Sequence, residues 1–125
     1  MKVLVADNLF THRKTIALAL SKINCEAIEA TSTDEAMSIL ENAHIDILII
    51  HLSLPDYGGL EFLKRLKGLL DEKRVHRLLT MAWNDEDSKK IAINVGVEEI
   101  IVYPLKEQEI IEKVNNLLSI IANHA

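Results

Sequence analysis

The chain has 125 residues, 49% hydrophobic and 26% charged, with four glycines and two prolines; this suits one domain, residues 1–125, and excludes a disordered or fibrous chain. Fourteen basic against nineteen acidic side chains leave a net charge of −5, which disfavours direct nucleic-acid binding, because no basic face is available to displace counterions from phosphates. The single cysteine, Cys25, excludes a disulfide framework and a cysteine-based zinc cluster, and no apolar run approaches the roughly 18 residues of a membrane span.

The start, Met1 to Asp7, turns acidic too soon for a signal peptide, so we expect a cytoplasmic protein. Val3–Ala6 is a short apolar run with little alternation, as suits a strand covered on both faces. Ile16, Ala19, Leu20 and Ile23 follow it at helical spacing. The second run is Ala27–Ala30; Ser32, Thr33, Asp34 and Glu35 then form a capping-box signature ahead of Ala36, Ile39, Leu40 and Ala43. The third, Ile45–Ile50, leads through the turn signal Pro55–Gly59 to a stripe of Phe62, Leu66, Leu69 and Leu70. The basic residues around that helix and its exit, Lys64, Arg65, Lys67, Lys73, Arg74 and Arg77, read as a solvated face. Leu78–Met81 is the fourth run; the acidic Asp85, Glu86 and Asp87 suit the start of a helix carrying Ser88, Ile91, Ala92 and Val95, which Gly96 stops. Ile100–Val102 and then Ile110, Val114, Leu117, Leu118 and Ile121 make the last pair. Five strand-then-helix units predict an α/β domain of (βα)5 type, a doubly wound parallel sheet of five strands between helices.

In such folds ligands sit at the carboxyl ends of the strands. Those ends are closed by Asp7 and Asn8, by His51, by Met81 and Ala82, and by Tyr103. The last helix carries a second signal. Ile110, Ile111, Val114, Leu117, Leu118, Ile120 and Ile121 cover an arc of about 180°, wider than a helix lying on a sheet needs. That excess predicts a homodimer or contact with a further domain.

At these same positions the chain resembles the receiver domain of bacterial two-component response regulators. Val3 to Asn8 followed by Arg13 resembles the family's first strand, acidic pair and basic residue. Asp46 to Pro55 followed by Gly59 resembles the third strand and phosphorylation loop. Ala92 with Gly96 is similar to the end of the fourth helix, and Val102 to Leu105 to the segment carrying a lysine before its proline. The resemblance implies a flavodoxin-like sheet of order 2-1-3-4-5, and a site in which an aspartate takes a phosphoryl group beside Mg²⁺. Here the acceptor position holds His51, the acidic pair is Asp7 and Asn8, the lysine position holds Tyr103, and the fifth-strand aromatic is Ile100. Counting back from Gly96 puts Met81 at the hydroxyl position, with Thr80 turned away.

The resemblance combined with these residue types implies a degenerate phosphorylation pocket of Asp7, Asn8, His51, Met81 and Tyr103, with no catalytic residue, no metal site and weak or absent Mg²⁺ binding. Phosphoryl transfer depends on neutralising charge at the transferring oxygens, and one carboxylate with an amide serves that poorly. We expect the His51 ring to replace the lost ion, bonded to Asp7 with a raised pKa, and Met81 and Tyr103 to fill the pocket. Neither His12 nor His44 is expected at the site, and Asp56 reads as a turn residue. The expected role is a non-enzymatic, phosphorylation-independent interaction module in bacterial signalling. Its partner, a protein or a second copy, would bind through the fourth helix, fifth strand and fifth helix, with Trp83, Ile100, Ile111 and Leu118 as surface residues; whether an output domain follows residue 125 stays open at this point. The alternatives are a receiver with a non-standard acceptor, or a small-ligand binder on the same framework, though no nucleotide fingerprint or nucleophile constellation is present.

Overall fold

The structure, a computed structural model, describes residues 1–124; Ala125, the last residue of the expected domain, lies outside the described residues. Strands and helices alternate throughout: β1 (Lys2–Ala6), α1 (Phe10–Ser21), β2 (Glu26–Ala30), α2 (Thr33–Asn42), β3 (Ile47–His51), α3 (Gly59–Glu72), β4 (His76–Met81), α4 (Glu86–Asn94), β5 (Glu99–Val102) and α5 (Glu107–Asn123). Every strand pairing is parallel and the order is β2-β1-β3-β4-β5, the sheet expected from the resemblance.

β3 is buried at all five positions because helices cover both of its faces. β2 departs from that pattern. It is an edge strand with Glu26 and Glu29 exposed, charges that discourage pairing with a foreign strand.

Two apolar layers flank the sheet, and residue parity sorts the strands between them. Leu4, Ala6, Leu48, Ile50, Leu79 and Met81 pack against α2, α3 and α4, whose buried side chains include Leu40, Phe62, Leu63 and Ala92. Val3, Val5, Ile47, Ile49, Leu78 and Ile101 pack against α1 and α5 through Ile16, Leu20, Ile110, Val114 and Leu117.

The N-cap at Ser32 forms, while the Glu35 side chain reaches one residue further back than a capping box requires. The Ser32 hydroxyl accepts from the Glu35 amide at 3.2 Å, and the Glu35 carboxylate accepts from the Thr31 amide at 2.9 Å. Asp85 caps α4 in the same way, accepting from the Ser88 amide at 3.2 Å.

Two expectations are corrected. The wide apolar arc of α5 does not stand free, because α5 lies against both the sheet and α1. Ile111, Leu118 and Ile121 are half-buried on the α1-side core, which leaves Ile120 as the one exposed large apolar residue on the described part of α5. Ile111 and Leu118 therefore belong to the packing and not to a free surface. Arg77 is likewise not part of a solvated face. It is 4% exposed, and its guanidinium donates to the Val75 and Val95 carbonyls, each at 3.1 Å, and to the Asp71 carboxylate at 2.6 Å. It pins the end of α3 to the end of α4.

Candidate functional site

The face of the sheet that meets α1 and α5 continues, at its carboxyl edge, into polar residues. Two positions beyond Val5 stands Asp7, two beyond Ile49 stands His51, two beyond Leu78 stands Thr80, and two beyond Ile101 stands Tyr103. A period of two keeps each on the side of its predecessor. The register then places His51 directly opposite Thr80. A fifth group arrives from the first turn of α1, where His12 faces back onto the strand ends.

The Tyr103 hydroxyl lies among the other four. It donates to Asp7 Oδ2 at 2.8 Å and lies 3.1 Å from His12 Nδ1, 3.2 Å from His51 Nδ1 and 3.4 Å from Thr80 Oγ1. His12 Nδ1 is also 3.1 Å from Asp7 Oδ2, and His51 Nδ1 is 3.2 Å from Thr80 Oγ1. Asp7, 1% exposed, completes its set by accepting from the Leu9 amide through Oδ1 at 2.9 Å. The His51 and Tyr103 rings stack at 5.1 Å with 6° between their planes, and the His12 ring meets Tyr103 edge-on at 4.5 Å.

Proton accounting fixes roles. A phenol carries one proton, and the 2.8 Å contact to a carboxylate takes it. The Tyr103 oxygen can then only accept, so a histidine that bonds to it does so through Nδ1–H. Burial foremost, together with the Asp7 charge, pushes the Tyr103 pKa well above its ordinary value, with the Thr80 hydroxyl opposing. The phenol therefore stays protonated. Burial foremost lowers the His51 pKa; the Asp7 charge opposes this and a charged His12 adds to it. His51 thus favours the neutral ring.

Several expectations change here. Met81 does not face the pocket; it packs in the layer beneath α2, α3 and α4, and Thr80 takes the pocket position. The count back from Gly96 misplaced the pair, whereas parity from Leu78, an apolar residue of the α1 side, assigns Thr80 correctly. His51 bonds to Tyr103 and Thr80, and the histidine on Asp7 is His12; the expected rise in the His51 pKa is a fall, because burial outweighs the more distant carboxylate. His12 was missed because it lies on a helix and not on a strand end. Its position five residues after Asp7, in a first turn whose side chains lean toward the amino terminus, is the signal that finds it.

The remaining residues lie nearby. Asn8 is exposed in the β1–α1 loop. A side chain at Gly59 would collide with the His51 carbonyl, so glycine lets α3 begin against the strand end. Asp56 turns toward α2, with Oδ2 3.3 Å from both the Thr33 hydroxyl and the Asp34 amide. Trp83, in the loop after β4, is 65% exposed.

Magnesium prefers an octahedron of oxygens at about 2.0–2.1 Å and keeps several waters. Both Asp7 oxygens are already engaged, and the neighbouring groups are imidazole nitrogens and a phenol, a donor set that does not fit this ion. Among the described residues, no group of three or more His, Cys, Asp or Glu side chains is placed to hold a metal ion. No described helix is long and apolar enough to cross a membrane.

A family model for the response regulator receiver domain matches residues 3–115. The phosphate regulon transcriptional regulatory protein PhoB of Pseudomonas aeruginosa is 29% identical over 118 residues, covering 93% of this chain and 51% of that protein. A chemotaxis protein CheY homolog of Campylobacter jejuni is 29% identical over 123 residues, covering 94% of this chain and 92% of the homolog. The solved structure of a CheY-like response regulator receiver domain protein from Methanospirillum hungatei superposes with a TM-score of 0.90 at 18% identity, over 99% of this chain and 98% of the other, which speaks to the fold alone. The chain spans about half the length of several curated relatives that it matches.

Proposed function

The chain belongs to the response regulator receiver domain family, and we propose that it serves two-component signalling as an interaction module that works without aspartyl phosphorylation. One observation carries this reading: the residue closing β3 is His51, and the Tyr103 ring stacks on it where the resemblance calls for an acceptor carboxylate facing a lysine. Phosphoryl transfer needs fixed positive charge around the moving oxygens. Around His51 the groups in contact are a phenol and a hydroxyl, Asp7 is the nearby carboxylate, no lysine or arginine among the described residues is a hydrogen-bond partner, and the ring itself favours neutrality. The same donor set supports weak or absent Mg²⁺ binding. The domain then contributes recognition and no catalysis.

The surface we assign to the partner is the α4–β5–α5 face. Ile93 is exposed there, and a groove of about 490 Å³ brings Ile93 and Ile100 together with Lys89, Lys113, Glu99 and Glu109. Apolar residues flanked by both charge signs can complement themselves across a two-fold axis, which favours a second copy of this chain. Trp83 supports a further contact beside it, since exposed tryptophan is enriched where binding energy concentrates. An output domain following this one is part of the proposal, in line with the length of several relatives.

The test is incubation with a small phosphodonor followed by intact mass, with amide NMR in Mg²⁺ and beryllium fluoride alongside. We expect no phosphoryl adduct and no shifts at Asp7, His51, Thr80 and Tyr103. A stoichiometric adduct, or saturable shifts spreading to α4 and α5, would overturn the reading and restore an ordinary switch with another acceptor.

A further inference from the structure

We propose that Tyr103 is a resident ligand of the pocket: its hydroxyl, steadied by His12, fills the space between Asp7, His51 and Thr80 and latches the loop after β5 to the loop after β1. This rests on the reading above and adds to it a regulatory part, since it names what holds the site in one arrangement and what would release it.

The hydrogen-bonding capacity of the pocket is saturated. Asp7 Oδ1 is occupied by the Leu9 amide and Oδ2 by the phenol and His12. The phenol has spent its only proton on Asp7, and its oxygen is approached by His12, His51 and Thr80. Among the described residues, no buried side-chain nitrogen or oxygen lacks a partner. The pocket is thus complete without any added group, an arrangement typical of a bound ligand and here supplied by the chain itself. One hydroxyl joins groups from the ends of β1, β3 and β4 and from the start of α1, while its backbone belongs to the connection into α5.

That connection gives the latch its consequence. The Tyr103 amide donates to the Met81 carbonyl at 2.8 Å, so the residue is tied to β4 by its backbone and to the start of the β1–α1 loop by its side chain. A cation or polar group that takes the Asp7 carboxylate has to expel the phenol. Once expelled, the ring no longer ties the β5–α5 loop to the loop after β1, and the residue 103 amide on the Met81 carbonyl is left as its bond to the sheet. Occupancy at Asp7 and the position of that loop are therefore coupled, and coupling of this kind is reciprocal. His12 acts as a positioning residue, holding the carboxylate and the phenol at 3.1 Å each from one ring nitrogen.

The experiment uses Tyr103→Phe, which keeps the stacked ring and removes the hydroxyl, and Tyr103→Ala, which empties the space. Amide hydrogen exchange is followed at Leu9 and at position 103, whose amides donate to Asp7 and to the Met81 carbonyl, and paramagnetic broadening by Mn²⁺ alone is titrated around Asp7. In Tyr103→Phe we expect exchange to rise together in both loops by about ten-fold or more, the factor one charge-assisted hydrogen bond commands. In Tyr103→Ala we expect Mn²⁺ to bind at Asp7 at least about ten-fold more tightly than in the unaltered chain. His12→Gln, which retains a donor, should hold exchange near the unaltered rate, and His12→Leu should not. Unchanged exchange in Tyr103→Phe, or a rise in one loop alone, overturns the latch. Should Tyr103→Ala fail to fold, the phenylalanine variant decides. The two readings fail separately. A phosphoryl adduct on the unaltered chain sinks phosphorylation independence, whereas the latch is judged by the difference between variants.

Discussion

Gly96→Ala should destabilise this domain far more than an ordinary surface glycine substitution, and the buried Arg77 is the reason. Gly96 sits at φ +85°, where an L side chain costs about 1–2 kcal/mol. Its added Cβ would also land on the Arg77 guanidinium. The end of a long side chain commonly swings away from such a clash at little cost. Arg77 is not free to do so, being 4% exposed and bonded to the Val75 and Val95 carbonyls and to Asp71. Displacing it strands one or two hydrogen bonds to a charged group, each worth about 1.5–3 kcal/mol. We expect a total loss of about 3–5 kcal/mol, a large part of a small domain's stability. The assay is urea unfolding followed by far-UV circular dichroism for the unaltered chain, Gly96→Ala, Arg77→Ala and the double variant. In the Arg77→Ala background the second change should cost only the backbone strain, about 1–2 kcal/mol, which leaves a coupling of about 2 kcal/mol between the sites. A cost below about 1 kcal/mol, or the same cost in both backgrounds, would show that the guanidinium does not hold the α4–β5 turn.

Three further outcomes follow from the packing and the site. Burial lowers the His51 pKa below its ordinary 6.5, so the unfolded chain binds the proton more readily. The stability associated with His51 is therefore present above about pH 6.5 and lost as pH falls through the folded-state value, with a slope of at most about 1.4 kcal/mol per pH unit. Urea midpoints measured across that window check it, and in His51→Asn the acid-side loss should shrink. Ser32→Ala should cost about 1 kcal/mol by leaving the Glu35 amide uncapped, and chemical denaturation with an unchanged m-value would agree. α4, whose only buried residue is Ala92, should exchange its amides before the other helices; protection there equal to that of α3 would contradict a lightly anchored helix.

The sheet was readable because hydrophobic runs and helical stripes obey simple periods, and each of the five pairs falls within a few residues of its expected bounds. What stayed hidden were properties of side-chain direction. Whether Thr80 or Met81 enters the pocket is a question of parity, and the answer lay in Leu78 one turn of the pleat earlier. His12 reaches the site from a helix, so the pattern of strand ends does not include it. Arg77 read as one cation in a basic cluster because charge patterning says nothing about burial, yet Gly96 downstream was a trace of it: the glycine makes room for the guanidinium. The breadth of the apolar arc on α5 was real, but its physical cause was internal, a helix that covers a sheet and a neighbouring helix at once.

Trp83 has one more consequence, for the bench. It is the only tryptophan in the chain, and 65% of its surface meets solvent in the folded state. An indole already in water emits at nearly the same wavelength whether the chain is folded or not, so intrinsic fluorescence will report unfolding of this domain poorly. The same exposure turns into an advantage when something docks beside the loop after β4, because desolvating that ring shifts its emission to the blue. The protein therefore carries its own label for association, silent toward its internal stability and responsive to contact from outside.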